Sequence, residues 1–386
     1  MQALFRKGTF LFSSNPQNGT NVTQPTTTAP EETLFTKVNP AVDGEDCDHD
    51  CASCTIRYPA KFDVNHEDEL YGHVKAWSTH LLIATGKTDW VHDVADEEGS
   101  LMEAIEKGGL TPSNGRMKLS ASNMPVPDEY HYHELGQQPT TALILPAFTI
   151  VDHITPALAP DLVKYFIDPS PTTTTPLLKQ QGTEFLPIVS EKTRETNNSA
   201  SPTTSAPQTP IETLDISTLT PLRSRPCPHA AVILLCSQRT RDARCGQSAP
   251  LLRREFERHL RARGLFRDLN DERPGGVGIY FISHVGGHKY SANVMVYRRR
   301  DFGWYRKQNG EVTTPPGEEP GDRTANGESG REEDADEGAA QGIWLARVKP
   351  EDCEGIVKFT VLQGKVVKPA TQLRGGFDRE RGLVSW

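Results

Sequence analysis

No apolar run in the 386-residue chain approaches the ~20 residues that a bilayer-spanning helix needs, and no secretory hydrophobic segment is present. Neither a membrane-spanning protein nor a disulfide-stapled secreted one is therefore expected. Positive charge is also in short supply. The chain has 42 Lys and Arg against 51 Asp and Glu, a net charge of −9, so composition gives no argument for a nucleic-acid partner. Glycine patterns of the Walker or Rossmann kind are missing, which leaves a bound nucleotide unsupported. Apolar residues make up only 35%, beside 29 prolines and 31 glycines, and the mean hydropathy is −0.54. Part of the length is then predicted to stay outside any packed core.

That deficit is uneven along the chain. Residues 1–40 are rich in Thr, Pro and Asn and read as a disordered tail. The first thirty contain no acid and only Arg6 and Lys7 as bases, which fits either a mitochondrial presequence or a plain tail. The mitochondrion is the expected address, with the cytoplasm as the alternative. Residues 41–168 have globular composition, with strands at THLLIATG (79–86) and TTALILPAF (140–148) and a short helix at LAPDLVKYFI (158–167). Residues 169–226 are Ser/Thr/Pro/Asn tracts and read as a disordered linker. The second domain, 227–386, opens on AAVILLC (230–236), and its acidic, Gly-rich stretch at 308–341 reads as a disordered insertion.

Strands are predicted at VGIYFISH (277–284), ANVMVYR (292–298) and IWLARV (343–348). LLRREFERHLRARG, introduced by Ser248 and Pro250, carries Leu252, Phe256, His259 and Leu260 at helical spacing. A second helix is expected near 350–362. The order β-α-β-β-β-α predicts a small α/β domain of thioredoxin-like type, preceded by a smaller α/β domain.

Seven cysteines at 47, 51, 54, 227, 236, 245 and 353 are an odd number without a secretory segment, which favours metal or redox chemistry over disulfides. Four candidate ligands gather in the second domain. Cys236 ends one strand, Cys245 precedes the helix, His284 ends the next strand, and His288 follows through Val-Gly-Gly. Strand ends on one edge of an α/β sheet converge in space. Gly286 and Gly287 would let the main chain approach a bulky group. Spacing alone leaves three readings open: an iron–sulfur cluster, a Cys2His2 zinc module, or core cysteines beside a polar Gly-rich loop.

C-x8-C followed by H-x-G-G-H resembles the motif of the fungal sucrase/ferredoxin-like family, whose members are thioredoxin-like ferredoxins. GKTDWVHDV (86–94) with its preceding strand is similar to that family's N-terminal domain, a degenerate thioredoxin-like unit. The resemblance implies a 2Fe-2S cluster bound by Cys236, Cys245, His284 and His288. It also implies one-electron transfer or redox sensing rather than catalysis with a nucleophile or general base, the redox partner being unspecified.

Three further features carry possible chemistry. CDHDCASC sets Cys47, Cys51 and Cys54 at x3 and x2 spacing, which suits a second metal site with His49, a thiol-dependent oxidoreductase, or reduced thiols in a loop. Arg239, Arg241 and Arg244, with Arg298–Arg300, read as a solvated face or a dock for an acidic electron-transfer partner. The terminal Val384-Ser385-Trp386 resembles the signal by which clients dock on the cytosolic iron–sulfur assembly machinery, if Trp386 stands free.

Overall fold

Residues 27–177, 216–300 and 337–386 are described by the computed structural model. Thirteen strands run through them in one mixed sheet. Those of the first half are β1 (Thr27–Thr28), β2 (Thr79–Ala84), β3 (Met117–Ser122), β4 (Thr140–Leu145), β5 (Thr149–Ile154) and β6 (Arg223–Pro226). The second half adds β7 (Ala231–Cys236), β8 (Phe266–Arg267), β9 (Val277–Ile282), β10 (Val294–Arg298), β11 (Gln341–Leu345), β12 (Leu373–Asp378) and β13 (Leu383–Val384). The α/β architecture expected from the alternation of strand and helix patterns is the one observed.

The central strands are buried on both faces, which is why they read as unbroken apolar runs. In β2, Leu81 and Ile83 join one core while Leu82 and Ala84 join the other. In β7, Ile233 and Leu235 take the first side and Leu234 and Cys236 the second. The period of two is what aims Cys236 away from the helix-covered face.

One pattern occurs twice. β2 pairs parallel with β3 and antiparallel with β4, which pairs antiparallel with β5. β7 pairs parallel with β9 and antiparallel with β10, which pairs antiparallel with β11. A helix bridges each parallel pair, Leu101–Glu106 in the first half and Ala243–Arg261 in the second, as a parallel crossover requires. Each half then adds a helical turn that widens into a π-helix. These are Ala159–Leu162 into Val163–Ile167, and Cys353–Gly355 into Ile356–Val361.

The halves join where β3 meets β9 antiparallel, with Ser122 opposite Ile282. Asn123 N donates to Phe281 O (3.1 Å), and Asn123 Oδ1 accepts from Phe281 N (2.7 Å). Ser283 N donates to Ala121 O (2.9 Å), and Ser283 Oγ accepts from Ala121 N (3.0 Å). The sheet curls enough for His80 on β2 to reach β10, with Nδ1 3.0 Å from the Tyr297 hydroxyl and Nε2 2.9 Å from Ser120 Oγ. His80 is fully enclosed, and burial holds its pKa well below 6.5.

Segments expected as tail and linker carry part of this fold. Ala29, Leu34, Phe35 and Val38 are buried, and β1 pairs with β13. Thr172 and Thr173 are buried, and Thr173 Oγ1 donates to Trp77 O at 2.8 Å. β6, inside the expected linker, extends the sheet from β5. Ala339, Ala340 and β11 do the same for the end of the expected insertion. Residues 1–26, 178–215 and 301–336, where the remaining tail, linker and insertion readings fall, lie outside the described residues.

The long helix also starts earlier than Ser248 and Pro250 suggest. Asp242 Oδ1 accepts from Arg244 N at 2.9 Å, which caps the helix at its first turn. Cys245 therefore lies inside the helix rather than before it.

Candidate metal centre

Cys236 is the last residue of β7, and Cys245 the third of the helix capped by Asp242. Both are almost fully buried. The hydrogen bond between their sulfurs pushes the Cys236 thiol well above its usual range, helped by burial, and pulls that of Cys245 down. Ser291 Oγ lies 3.3 Å from Cys245 Sγ. The backbone N–H groups of Val285 and Gln238 act on the Cys236 thiol in the opposite direction, lowering its pKa.

The histidines come from the segment after β9, which ends at Ile282, two residues before His284. His284 N donates to Gln238 Oε1 at 2.8 Å, tying it to the loop that follows Cys236. Gly286 and Gly287 have φ of +91° and +70°, conformations open to glycine at little strain. They turn the chain so that the rings of His284 and His288 lie 5.3 Å apart. His284 Nδ1 is buried without a hydrogen-bond partner, an unusual condition for a buried nitrogen. Burial, then the charge of Arg241, lowers the His284 pKa to about 4, which keeps the ring neutral, as a ligating imidazole must be. His288 is exposed.

The four predicted donors thus stand as two pairs, thiol beside thiol and ring beside ring. Among the described residues, a set of three donor atoms all within 4.8 Å of one another occurs elsewhere, at Cys51, His259 and Glu354.

The GKTDWVHDV segment of the first half acts as a latch over this site. Ser237 Oγ donates to Thr88 O (2.8 Å), and Thr240 N and Oγ1 to the Asp89 carboxylate (3.1 and 2.9 Å). Gln238 Nε2 donates to Val91 O (2.5 Å) and Arg241 to His92 O (2.9 Å). Two cations on β3 and β12 support the histidine loop from the other side, and neither was singled out from sequence. Lys118 Nζ donates to Val285 O (3.3 Å) and lies over the rings of Trp77 and Trp344; burial lowers its pKa to about 8. Arg374 donates to Gly286 O (2.9 Å) and Asn293 Oδ1 (2.9 Å) and stacks on Trp344; burial lowers its pKa to about 10.

The other sequence candidates are placed differently. Cys47 packs with Val38, Phe359 and Val367. His49 is exposed and faces Asp46 at 3.0 Å. Cys353 and Cys227 are buried, and no disulfide links any of the seven cysteines. His229 is also buried, against Tyr280. Of the two arginine runs, Arg239 is exposed, while others are held by neighbours. Arg244 pairs with Asp242 (2.8 Å), Arg298 is buried against Gln341 and Val361, and Arg299 donates to His229 O and Cys227 O. Trp386 does not stand free. It packs on Trp77 with ring centroids 4.5 Å apart, and Ser385 Oγ accepts from Gly376 N. An indole left in water would forgo that apolar contact, so the tail folds back.

Comparison with known proteins adds the family context. The chain is 30% identical over 249 residues to actin patches distal protein 1 of Saccharomyces cerevisiae, which covers 62% of this chain and 67% of that protein. It is 28% identical over 184 residues to altered inheritance of mitochondria protein 32 of Clavispora lusitaniae, covering 48% and 46%. The Debaryomyces hansenii protein of the same name is 31% identical over 137 residues, covering 36% and 33%. The chain thus spans about a third to two thirds of the length of these relatives. No solved structure matches. No helix among the described residues is long and apolar enough to cross a membrane. The sucrase/ferredoxin-like profile matches residues 70–375, from just before β2 into β12 and across both halves of the sheet, and on that match the chain belongs to the sucrase/ferredoxin-like family.

Proposed function

We propose that the protein is an iron–sulfur redox protein whose Cys236, Cys245, His284 and His288 would hold a 2Fe-2S cluster. The observation that carries this reading is the pairing of the donors. A single tetrahedral zinc gathers its ligands within about 4 Å of one another, whereas these four form separate thiol and imidazole pairs with no three of them inside 4.8 Å. Pairs suit a group with two metals.

The chain's own residues fit such a group in three further ways. The buried, unpartnered His284 Nδ1 is satisfied by coordination. The N–H groups acting on Cys236 stabilise a thiolate there. Lys118 and Arg374 place positive charge beneath a site that gathers negative charge.

When bound, the cluster supplies a one-electron couple, at a higher potential than a four-cysteine cluster because two ligands are neutral. No nucleophile or general base is needed, and the role is electron transfer or redox sensing. The mitochondrion remains the proposed address, suggested by the names of two relatives.

Anaerobically purified protein is expected to contain two irons and two acid-labile sulfides per chain. Replacing His284 by Cys is expected to keep the cluster and lower its potential, since a thiolate adds negative charge. Stoichiometric zinc without sulfide, in protein made with ample iron, would overturn the reading.

A further inference from the structure

Cys51, His259 and Glu354 come from three separate segments: the 47–54 loop, the C-terminal half of the long helix, and the helix Cys353–Gly355. Their donor atoms all lie within 4.8 Å of one another. Cys51 and His259 are buried and Glu354 is half-buried. We propose that these three side chains form a second metal site, distinct from the paired centre, that takes a zinc-class divalent cation and pins the 47–54 segment to the helix.

Geometry, charge and backbone all favour it. A tetrahedral zinc with Zn–S near 2.3 Å and Zn–N near 2.1 Å holds sulfur and nitrogen about 3.6 Å apart. Cys51 Sγ and His259 Nε2 are 3.9 Å apart, so a shift of a few tenths of an ångström closes the shell. One thiolate, one carboxylate and a neutral imidazole cancel the charge of a dication, which a buried site requires.

Glu255, almost fully buried, stands 3.6 Å from the same Nε2, so a second carboxylate borders the shell. Arg258 also reaches Cys51 Sγ (3.6 Å) and His259 Nε2 (3.1 Å). Its side chain is half-exposed and anchored on Glu255 at 2.7 Å, so it keeps that carboxylate when a cation takes the other two atoms. Cys51 N donates to Glu351 O at 2.9 Å, which fixes the loop independently of the side chain.

The site uses none of the four paired donors. Cys245 and His259 sit near opposite ends of one helix, about 21 Å apart along its axis at 1.5 Å per residue.

The test is metal analysis and zinc-edge X-ray absorption on the full chain, purified without chelator and loaded with zinc sulfate. One zinc per chain is expected, with a single sulfur among its neighbours. That zinc should persist in Cys236→Ser, which removes the iron, and be lost in Cys51→Ser, His259→Gln and Glu354→Gln. A substoichiometric zinc content in folded wild-type protein overturns the proposal, as does a shell with two sulfurs, which would place the metal on Cys236 and Cys245. Full zinc in His259→Gln overturns it too. Because the absorption spectrum is read on wild-type protein, misfolding of a variant does not rescue or sink it.

Discussion

In the first half of the sheet, β2 ends at Ala84, and the following helix is capped by Ser100 with Glu103 as its third residue. In the second half, β7 ends at Cys236, and the helix is capped by Asp242 with Cys245 third. Two residues past β3 stands Met124; two residues past β9 stands His284. The first half uses these positions for local structure: Ser100 Oγ accepts from Glu103 N, and the Glu103 carboxylate accepts from Gly99 N, which caps the helix start. The second half places Cys236, Cys245 and His284, three of the four proposed ligands, at the same positions. One strand order thus serves two ends, and side-chain identity at three positions decides which.

The largest expected effect tests that difference directly. Cys236→Ser or Cys245→Ser should abolish iron binding, while Glu103→Ala and Met124→Leu leave the iron content whole. Equal iron loss in the first-half variants would mean the two ends are not functionally separate.

Next in size is the junction. Asn123→Ala strips the Phe281 N–H of its side-chain acceptor, and Ser283→Ala does the same to Ala121 N–H. Each should cost about 1–3 kcal/mol in denaturant unfolding, and the two costs should match. A negligible cost for one alone would break the reciprocity.

His80 gives a pH signature of the contact between halves. Its folded pKa lies below 6.5, so below pH 6.5 the unfolded chain binds a proton that the folded one refuses. Stability from this residue is full above that pH and falls as the pH drops toward the folded pKa, by up to about 1.4 kcal/mol per pH unit. His80→Gln should flatten that slope; an unchanged slope would assign it elsewhere.

Smallest is a matched pair of cap removals. Ser100→Ala and Asp242→Ala should each cost about 1 kcal/mol, but only the second should also weaken iron retention, because it loosens the turn that carries Cys245.

The positions of Cys236 and His284 were legible because both lie at or just past the ends of strands whose apolar runs are unmistakable. The strands β2, β4, β7, β9, β10 and β11 were readable for the same reason. β3, with Lys118 and three serines or alanines among its six residues, and β12, with Arg374 and two glycines, carry no such run. Hence the cations beneath the histidine loop went unseen. His259 read as a packing residue, because its neighbours Cys51 and Glu354 are remote in sequence. The Thr- and Pro-rich segments read as tail and linker gain their order from non-local pairing, such as β1 on β13 and β6 on β5, which composition does not report. Trp386 was ambiguous for want of a visible partner, since nothing in sequence places Trp77 beside it.

The β3–β9 junction has the form of an isologous contact. Asn123 bonds to Phe281, and Ser283, its counterpart one residue past β9, bonds to Ala121. That reciprocity is what a two-fold axis imposes on a homodimer. The protein is in this sense a dimer written into one chain, in which one protomer carries the proposed ligands and the other lends the 87–92 segment that closes over them.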